Sequence, residues 1–327
     1  MVTVSMDSSY HAMNPMDLDF DSLELVMIDS GMAALVDAYR AIRTYGLPNS
    51  TPPAIQLNPL PYGFEVPKAS PKIQWEIPEG ISKPDWEADL AFMSIPELAS
   101  LLRSGEISSL ALTEFFLNRL KKHDPQLHCV VSLTEEYAIQ QAKLMDAELA
   151  NGKDRGILHG IPYGAKDLFA FPGYRTTWGA GPYKDQVLDE TAGIIKKLEE
   201  AGAILVAKTT LGALAMGDVW YADTTRNPWN LEEGSSGSSA GSASATAAGL
   251  LPFAIGTETW GSIVSPSTRC GTTGLRPTYG RVTRSGAMAR SWSMDKVGPI
   301  CRSAADCAIV FDAIRGPDPG DKTLLEA

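Results

Sequence analysis

The apolar positions change their period several times along the chain, and the changes mark out its elements. From Leu23 to Thr44 the residues Leu25, Ile28, Met32, Leu35, Val36 and Ile42 recur at helical spacing. Between Pro48 and Pro84 that pattern is lost. Nine of the chain's 22 prolines fall there, which excludes a helix or central strand and predicts an extended surface arm or linker. Periodicity returns at Ser94-Ile95-Pro96-Glu97, a capping box with proline in the first turn, opening a helix that ends near Gly105. A second helix is predicted from about Ser109 to His123, with Leu112, Phe116, Leu117 and Leu120 on one face and Pro125 as its stop. Cys129 to Leu133 predicts a short strand. Thr134 is expected to cap a helix that runs to Ala150 and ends at Asn151-Gly152.

From there the chain alternates between strand and helix. Ile161 to Lys166 predicts a strand. Asp189 is expected to cap a helix carrying Ile194, Ile195, Leu198 and Ala201. Ala203 to Lys208 is the kind of apolar run that parallel sheets bury, and Phe253 to Gly256 is another. Ser303 to Ile314 predicts a helix. Such alternation implies an α/β fold with a parallel or mixed sheet. Residues 1 to 18 have no periodicity and are expected to be a disordered start. The division expected is an acidic, Pro-rich extension over 1–90 and an α/β domain over 91–327.

Composition narrows the class. Hydrophobic content of 44% and charged content of 20% belong to a soluble globular protein. No apolar run approaches the roughly 18 residues that cross a bilayer. The first thirty residues carry acids and no Lys or Arg, unlike a secretory signal, so the expected location is cytoplasmic. The net charge is −11, and 13 acidic against 5 basic side chains lie before residue 91. That balance argues against nonspecific nucleic-acid or anionic-membrane binding. The four cysteines are scattered and expected to be buried free thiols, and Cys301 and Cys307 are expected to approach each other only within one helix. No metal-ligand spacing occurs, so neither metal nor cofactor is expected.

The candidate chemistry gathers between Asn227 and Pro277. A Gly/Ser/Ala run leads into the apolar Leu250 to Ile255, and a second small-residue turn, Gly256 to Ser262, follows. Two such turns around one apolar segment predict two loops converging on a pocket, with serines available as nucleophiles. A serine needs a base. His159 is the histidine nearest a motif and no GxSxG elbow is present, which argues against a Ser-His-Asp triad. A lysine can serve if burial lowers its pKa from about 10.4. Lys166 follows an apolar strand, and strand alternation turns Asp167 to the opposite face.

Four motifs then carry a resemblance. Gly237-Ser238-Ser239-Ala240-Gly241-Ser242 with Gly261-Ser262-Ile263, and upstream His159-Gly160-Ile161-Pro162-Tyr163-Gly164-Ala165-Lys166-Asp167, resemble the amidase signature family. Downstream, Gly274 to Val282 and Ser293 to Ile300 are most similar to the branch containing the A subunit of glutamyl-tRNA(Gln) amidotransferase. The resemblance covers about Met93 to Pro317. It implies a central mixed, twisted β-sheet flanked by helices on both faces. It also implies a Ser-Ser-Lys triad of Lys166, Ser238 and Ser262, with a cis peptide before the bridging Ser238 and Ser262 as nucleophile. The backbone N–H groups of Thr259, Trp260, Gly261 and Ser262 would form an oxyanion hole. Members of the family continue well past this chain's last residue, so the α/β domain is expected to lack its C-terminal part.

Three positions depart from the usual signature: Glu258, Trp260 and Val264. The Trp260 indole is expected to fill part of the pocket and favour small or flat amides. The activity implied is hydrolysis of a carbon–nitrogen amide bond through an acyl-enzyme. A glutamine-dependent amidotransferase A subunit, or a truncated and inactive interaction protein, are the alternatives. The partner expected is a small-molecule amide, with no direct nucleic-acid or membrane partner, and a homodimer is one assembly the chain allows.

Overall fold

The computed structural model describes residues 20–55, 58, 60–65 and 73–325. The disordered start expected over residues 1 to 18 lies outside these. The chain divides into two units, Met1–Pro48 and Asn49–Ala327. In the first, helix α1 (Ser22–Thr44) begins at a capping box: the Asp21 carboxylate accepts from the Leu23 and Glu24 N–H groups, and Glu24 accepts from Asp21 N–H.

The second unit is built on a six-stranded mixed sheet. Its strands are β1 (Val130–Leu133), β2 (Pro162–Lys166), β3 (Ile204–Thr209), β6 (Phe253–Glu258), β7 (Thr273–Gly274) and β8 (Lys296–Cys301), in the order β1-β3-β2-β6-β8-β7. β2 runs parallel to β3 and β6, whereas β1, β8 and β7 pair antiparallel. A separate two-stranded ribbon joins β4 (Arg226–Asn227) to β5 (Asn230–Gly234).

Both faces of the sheet are covered, and the alternation of side chains shows how. Tyr163, Ala165, Leu205, Phe253 and Ile255 enter one core, while Ile204, Val206 and Ala254 enter the other. The first core is closed by α3 (Ile95–Ser104), α6 (Gly193–Glu200) and α9 (Ala304–Ile314). The second is closed by α4 (Ser109–Leu127), α5 (Glu135–Ala150) and α7 (Ala240–Ala247). A short helix α2 (Glu87–Phe92) precedes them and α8 (Val264–Cys270) follows β6. Residues 73–86 pack against the same body: Trp75, Ile77 and Ile81 touch the first core, and Trp75 Nε1 donates to Asp312 Oδ2 at 3.1 Å.

Local signals held at some helix ends and failed at others. Ser94 and Glu97 form the capping box, and Gly105 closes α3 at φ 76°. Pro125, by contrast, does not stop α4, which runs through it to Leu127. Leu127 is buried, the left-handed His128 ends the helix, and Asp124 Oδ1 accepts from the N–H groups of Cys129 and Val130 just beyond. Thr134 stands before α5 but does not cap it, since its hydroxyl donates to Leu205 O at 2.6 Å. Asp189 is not the cap of α6 either: that helix starts at Gly193 after Ala192. The four cysteines are buried and free. Cys301 meets Cys307 across a strand-to-helix junction rather than within one helix.

One irregularity in the sheet has a consequence for charge. The β2–β3 register slips by one residue, from Tyr163 opposite Leu205 to Gly164 opposite Ala207. The slip puts Lys208 opposite Ala165, on the face to which Asp167 turns. There the two form an ion pair at 2.8 Å, both fully buried, and Lys208 Nζ also donates to Thr176 Oγ1 and Arg175 O. Lys208→Met is expected to leave Asp167 as an uncompensated buried charge and to destabilise the protein by about 3–5 kcal/mol. The check is the shift in the urea unfolding midpoint at constant slope.

Candidate active site

The site forms where β2 and β6 end side by side and the loops after them meet the start of α7. Lys166 is the last residue of β2 and is fully buried. Strand alternation sends its side chain towards α7, away from Asp167, as the sequence predicts. Its Nζ lies 2.8 Å from Ser238 Oγ, 3.1 Å from Ser239 Oγ, 3.0 Å from Thr257 Oγ1 and 3.4 Å from Thr257 O. Among the described residues no carboxylate pairs with it. Burial therefore dominates and pushes its pKa down to about 7, with Arg290 acting in the same sense and Asp295 and Glu258 against it.

The serines come from a stretch that composition alone would allow to be a flexible linker. Contacts fix it instead. A Cβ on Gly237 would stand 1.9 Å from Gly217 O, and one on Gly241 would stand 2.2 Å from Cys129 O and 2.5 Å from Thr210 N. Only glycine lets these backbones cross so closely. The Gly237-Ser238 peptide is cis. Ser239 is held on both sides of its hydroxyl, accepting from Thr257 N–H and donating to Thr257 O, each at 3.1 Å. Its N–H donates to Ser262 O at 3.0 Å, tying the two loops together.

Ser262 lies in the turn after β6. That turn is pinned by Glu258, a fully buried carboxylate whose Oε2 accepts from the Ile263 and Val264 N–H groups at 2.8 and 3.0 Å. Oε1 accepts from Arg276 Nη1 at 3.2 Å. Burial alone would raise the Glu258 pKa. The N–H groups of Val264, Ile263 and Gly261, with Arg276, outweigh it, and the net direction is down. Lys296 Nζ holds the Thr259 carbonyl at 3.0 Å. Of the four amides expected to face an oxyanion, Gly261 thus also serves Glu258, while those of Trp260 and Ser262 donate to no described residue.

Ser238 and Ser262 line one narrow cleft together with Thr257 and Thr259. No hydrogen bond joins Ser238 Oγ to Ser262 Oγ among the described residues. Leu168, Met288 and Val297 give the cleft an apolar wall; Asn49, Arg290 and Asp295 line it with polar groups. Trp260 does not line it. The residue is 92% exposed, so its indole does not fill the pocket as expected. His159 takes no part: it is buried, its Nδ1 accepts from Arg155 N–H at 3.1 Å and its Nε2–H donates to Met145 O at 2.9 Å. Among the described residues no group of three or more His, Cys, Asp or Glu side chains comes together as a metal site.

Comparison with known proteins adds the family. The Amidase family model matches residues 111–327. The chain belongs to the amidase family. It is 44% identical over 235 residues to the A subunit of a glutamyl-tRNA(Gln) amidotransferase of Coxiella burnetii, covering 71% of this chain and 48% of that protein. Among solved structures it is similar to the native peptide amidase from Stenotrophomonas maltophilia, with a TM-score of 0.67 and 37% identity over 71% of this chain and 49% of that one. It is also similar to the glutamyl-tRNA(Gln) amidotransferase A subunit from Thermotoga maritima, with a TM-score of 0.64 and 30% identity over 76% of this chain and 51% of that one. The chain spans about half the length of the curated relatives it matches. No helix among the described residues is long and apolar enough to cross a membrane.

Several neighbours of Lys166 were not singled out by sequence reasoning. Ser239 lies inside a motif and Thr257 in the small-residue turn before Ser262, yet only the fold shows that both hydroxyls reach the same ammonium. Glu258 carries a signal as a departure from the usual signature, but its partner Arg276 sits in a separate motif. Asn49 and Arg290 carry no local signal. Because the Trp260 side chain is solvent-exposed, Trp260→Ala is expected to change unfolding free energy by no more than about 0.5 kcal/mol. Chemical denaturation of the two proteins side by side tests this, and a larger loss would mean that the indole packs against something.

Proposed function

We propose that this amidase-family chain hydrolyses a carbon–nitrogen amide bond, with Lys166 as base, Ser238 as proton bridge and Ser262 as nucleophile. The observation that carries the reading is a fully buried lysine that has no carboxylate partner among the described residues and lies 2.8 Å from the Ser238 hydroxyl. Unprotonated Lys166 Nζ takes the Ser238 proton as Ser238 Oγ takes that of Ser262. Ser262 Oγ then bonds to the amide carbon. Negative charge moves to the carbonyl oxygen, where the amides of Thr259, Trp260, Gly261 and Ser262 serve as donors, those of Trp260 and Ser262 being uncommitted. Collapse breaks the C–N bond, and the proton returns along the same path to the leaving nitrogen. Water repeats the sequence on the acyl-enzyme and releases the acid.

Labelling of the full chain with a fluorophosphonate, read by intact mass, tests the assignment without a substrate. One adduct on Ser262 is expected, absent in Ser262→Ala and slowed about 10²–10⁴-fold in Lys166→Met. The base must be unprotonated, so the labelling rate should be low below the Lys166 pKa and rise with pH through an inflection near 7. A folded chain that takes no adduct, or one whose adduct survives Ser262→Ala, would overturn the proposal.

A second reading is favoured by the 44% identity to a protein named as part of an amidotransferase. In that case glutamine is the amide, and the ammonia passes to an acceptor held with partner subunits. Ammonia release from glutamine, and co-purification with further subunits, separates the two.

A further inference from the structure

The turn that carries Ser262 is held at one further point, which the proton relay does not use. Lys296 opens β8 and stands directly across the β6–β8 ladder from Glu258, the last residue of β6. It is half-buried, and its Nζ donates to the Thr259 carbonyl at 3.0 Å. The residue before it acts on the same target. Asp295 Oδ1 accepts from the Thr259 hydroxyl at 2.5 Å, while Oδ2 accepts from the N–H groups of Arg290 and Ser291. Two consecutive residues thus hold Thr259 through its carbonyl and its side chain.

The peptide group passes that hold to the next residue. Among the described residues the cis peptide is Gly237-Ser238, so Thr259-Trp260 is trans. In a planar trans peptide the C=O of one residue and the N–H of the next point in opposite directions. Fixing the Thr259 oxygen therefore fixes the direction of the Trp260 N–H, which donates to no described residue. A cation on the carbonyl oxygen also draws electron density from the amide nitrogen, and this makes the N–H a stronger donor. Packing does not hold this peptide in place: Trp260 is exposed, and a Cβ on Gly261 would meet nothing within 4 Å.

We propose that Lys296 is a positioning residue for the oxyanion: by holding the Thr259 carbonyl it aims and polarises the Trp260 N–H towards the oxygen that gains charge when Ser262 attacks. This deepens the hydrolytic reading and rests on it for the presence of that oxygen. The charge develops only as the Ser262 bond forms. The contribution of Lys296 therefore belongs to the chemical step and not to the binding of an uncharged ligand. Lys296 takes no proton in the relay, so Lys166 still sets the pH dependence.

Two measurements on the full chain test this. In the first, fluorophosphonate inactivation is resolved into a reversible binding constant and a maximal rate. Lys296→Met is expected to lower the maximal rate about tenfold or more, because an oxyanion donor is no longer held in line. The binding constant and the pH inflection near 7 should not move. Lys296→Arg, which keeps a cation beside the carbonyl, should recover most of the rate. An unchanged rate, a loss confined to the binding constant, or an arginine variant as slow as the methionine variant overturns the proposal. In the second, protein carrying ¹³C-carbonyl threonine and ¹⁵N-tryptophan gives two Thr-Trp amide correlations, from Thr177-Trp178 and Thr259-Trp260. Lys296→Met should move the Trp260 signal and leave Trp178 in place as the internal reference. A Trp260 signal that stays put, or one that moves together with Trp178, overturns the proposal. The spectrum needs no reactive serine. No adduct on the unsubstituted chain sinks the hydrolytic reading, whereas a labelled Ser262 with an unmoved Trp260 signal sinks this inference alone.

Discussion

The burial of Lys166 with no carboxylate paired to it among the described residues is the constraint around which the rest of the site is arranged. An ammonium removed from water pays a large desolvation penalty unless a carboxylate or a full set of acceptors meets it. Here, among the described residues, hydroxyls and one carbonyl do, from Ser238, Ser239 and Thr257. These can satisfy the hydrogen-bonding positions of a lysine but cannot hold its charge, so the amine tends towards its neutral form. The same hydroxyls bring a proton donor to the nitrogen. One set of contacts thus accounts both for the lowered pKa and for the group that a neutral lysine could deprotonate.

The neighbouring lysine shows what the fold does when a charge is to be kept. Lys208 is as deeply buried, yet it pairs with Asp167 at 2.8 Å. Burial lowers its pKa as well, but Asp167 opposes that through its charge and its hydrogen bond. Two adjacent strands therefore carry two buried lysines with opposite electrostatic company, and the one-residue slip between β2 and β3 separates them. Without the slip, Lys208 would turn to the face of Lys166, and Asp167 would face the core alone. The slip thus keeps the two lysines on opposite faces of the sheet.

How much of this could be read from the sequence follows from the range of each signal. The buried strands were legible because Ala203 to Lys208 and Phe253 to Gly256 are continuous apolar runs. The Ser94-Glu97 capping box was legible because both partners lie within one turn. Pro125 misled because helix ends depend on what the last turn packs against, and Leu127 is held in the core. Thr134 and Asp189 misled because a capping residue is only a candidate until its side chain is seen to have no better partner. The positions of Lys166, Ser238 and Ser262 were legible only as motifs. Nothing local says that Thr257 meets the lysine, that Arg276 meets Glu258, or that Asn49 reaches the cleft across 240 residues of sequence from Ala289.

Glu258 shows why a departure from a motif need not remove its function. The turn that presents Ser262 gathers its successive N–H groups on one carboxylate, and hydrogen bonds to a charged acceptor are the stronger kind. Both carboxylate oxygens are used: one takes Ile263 and Val264, the other Arg276. The cation comes from Arg276, two residues beyond the end of β7. Because Arg276 is itself half-exposed, its attraction to Glu258 is screened and adds little on its own. The backbone N–H groups carry the larger share, and they belong to every residue type except proline. The turn can therefore hold its shape while its side chains vary, and this leaves positions such as Trp260 free to change without moving Ser262.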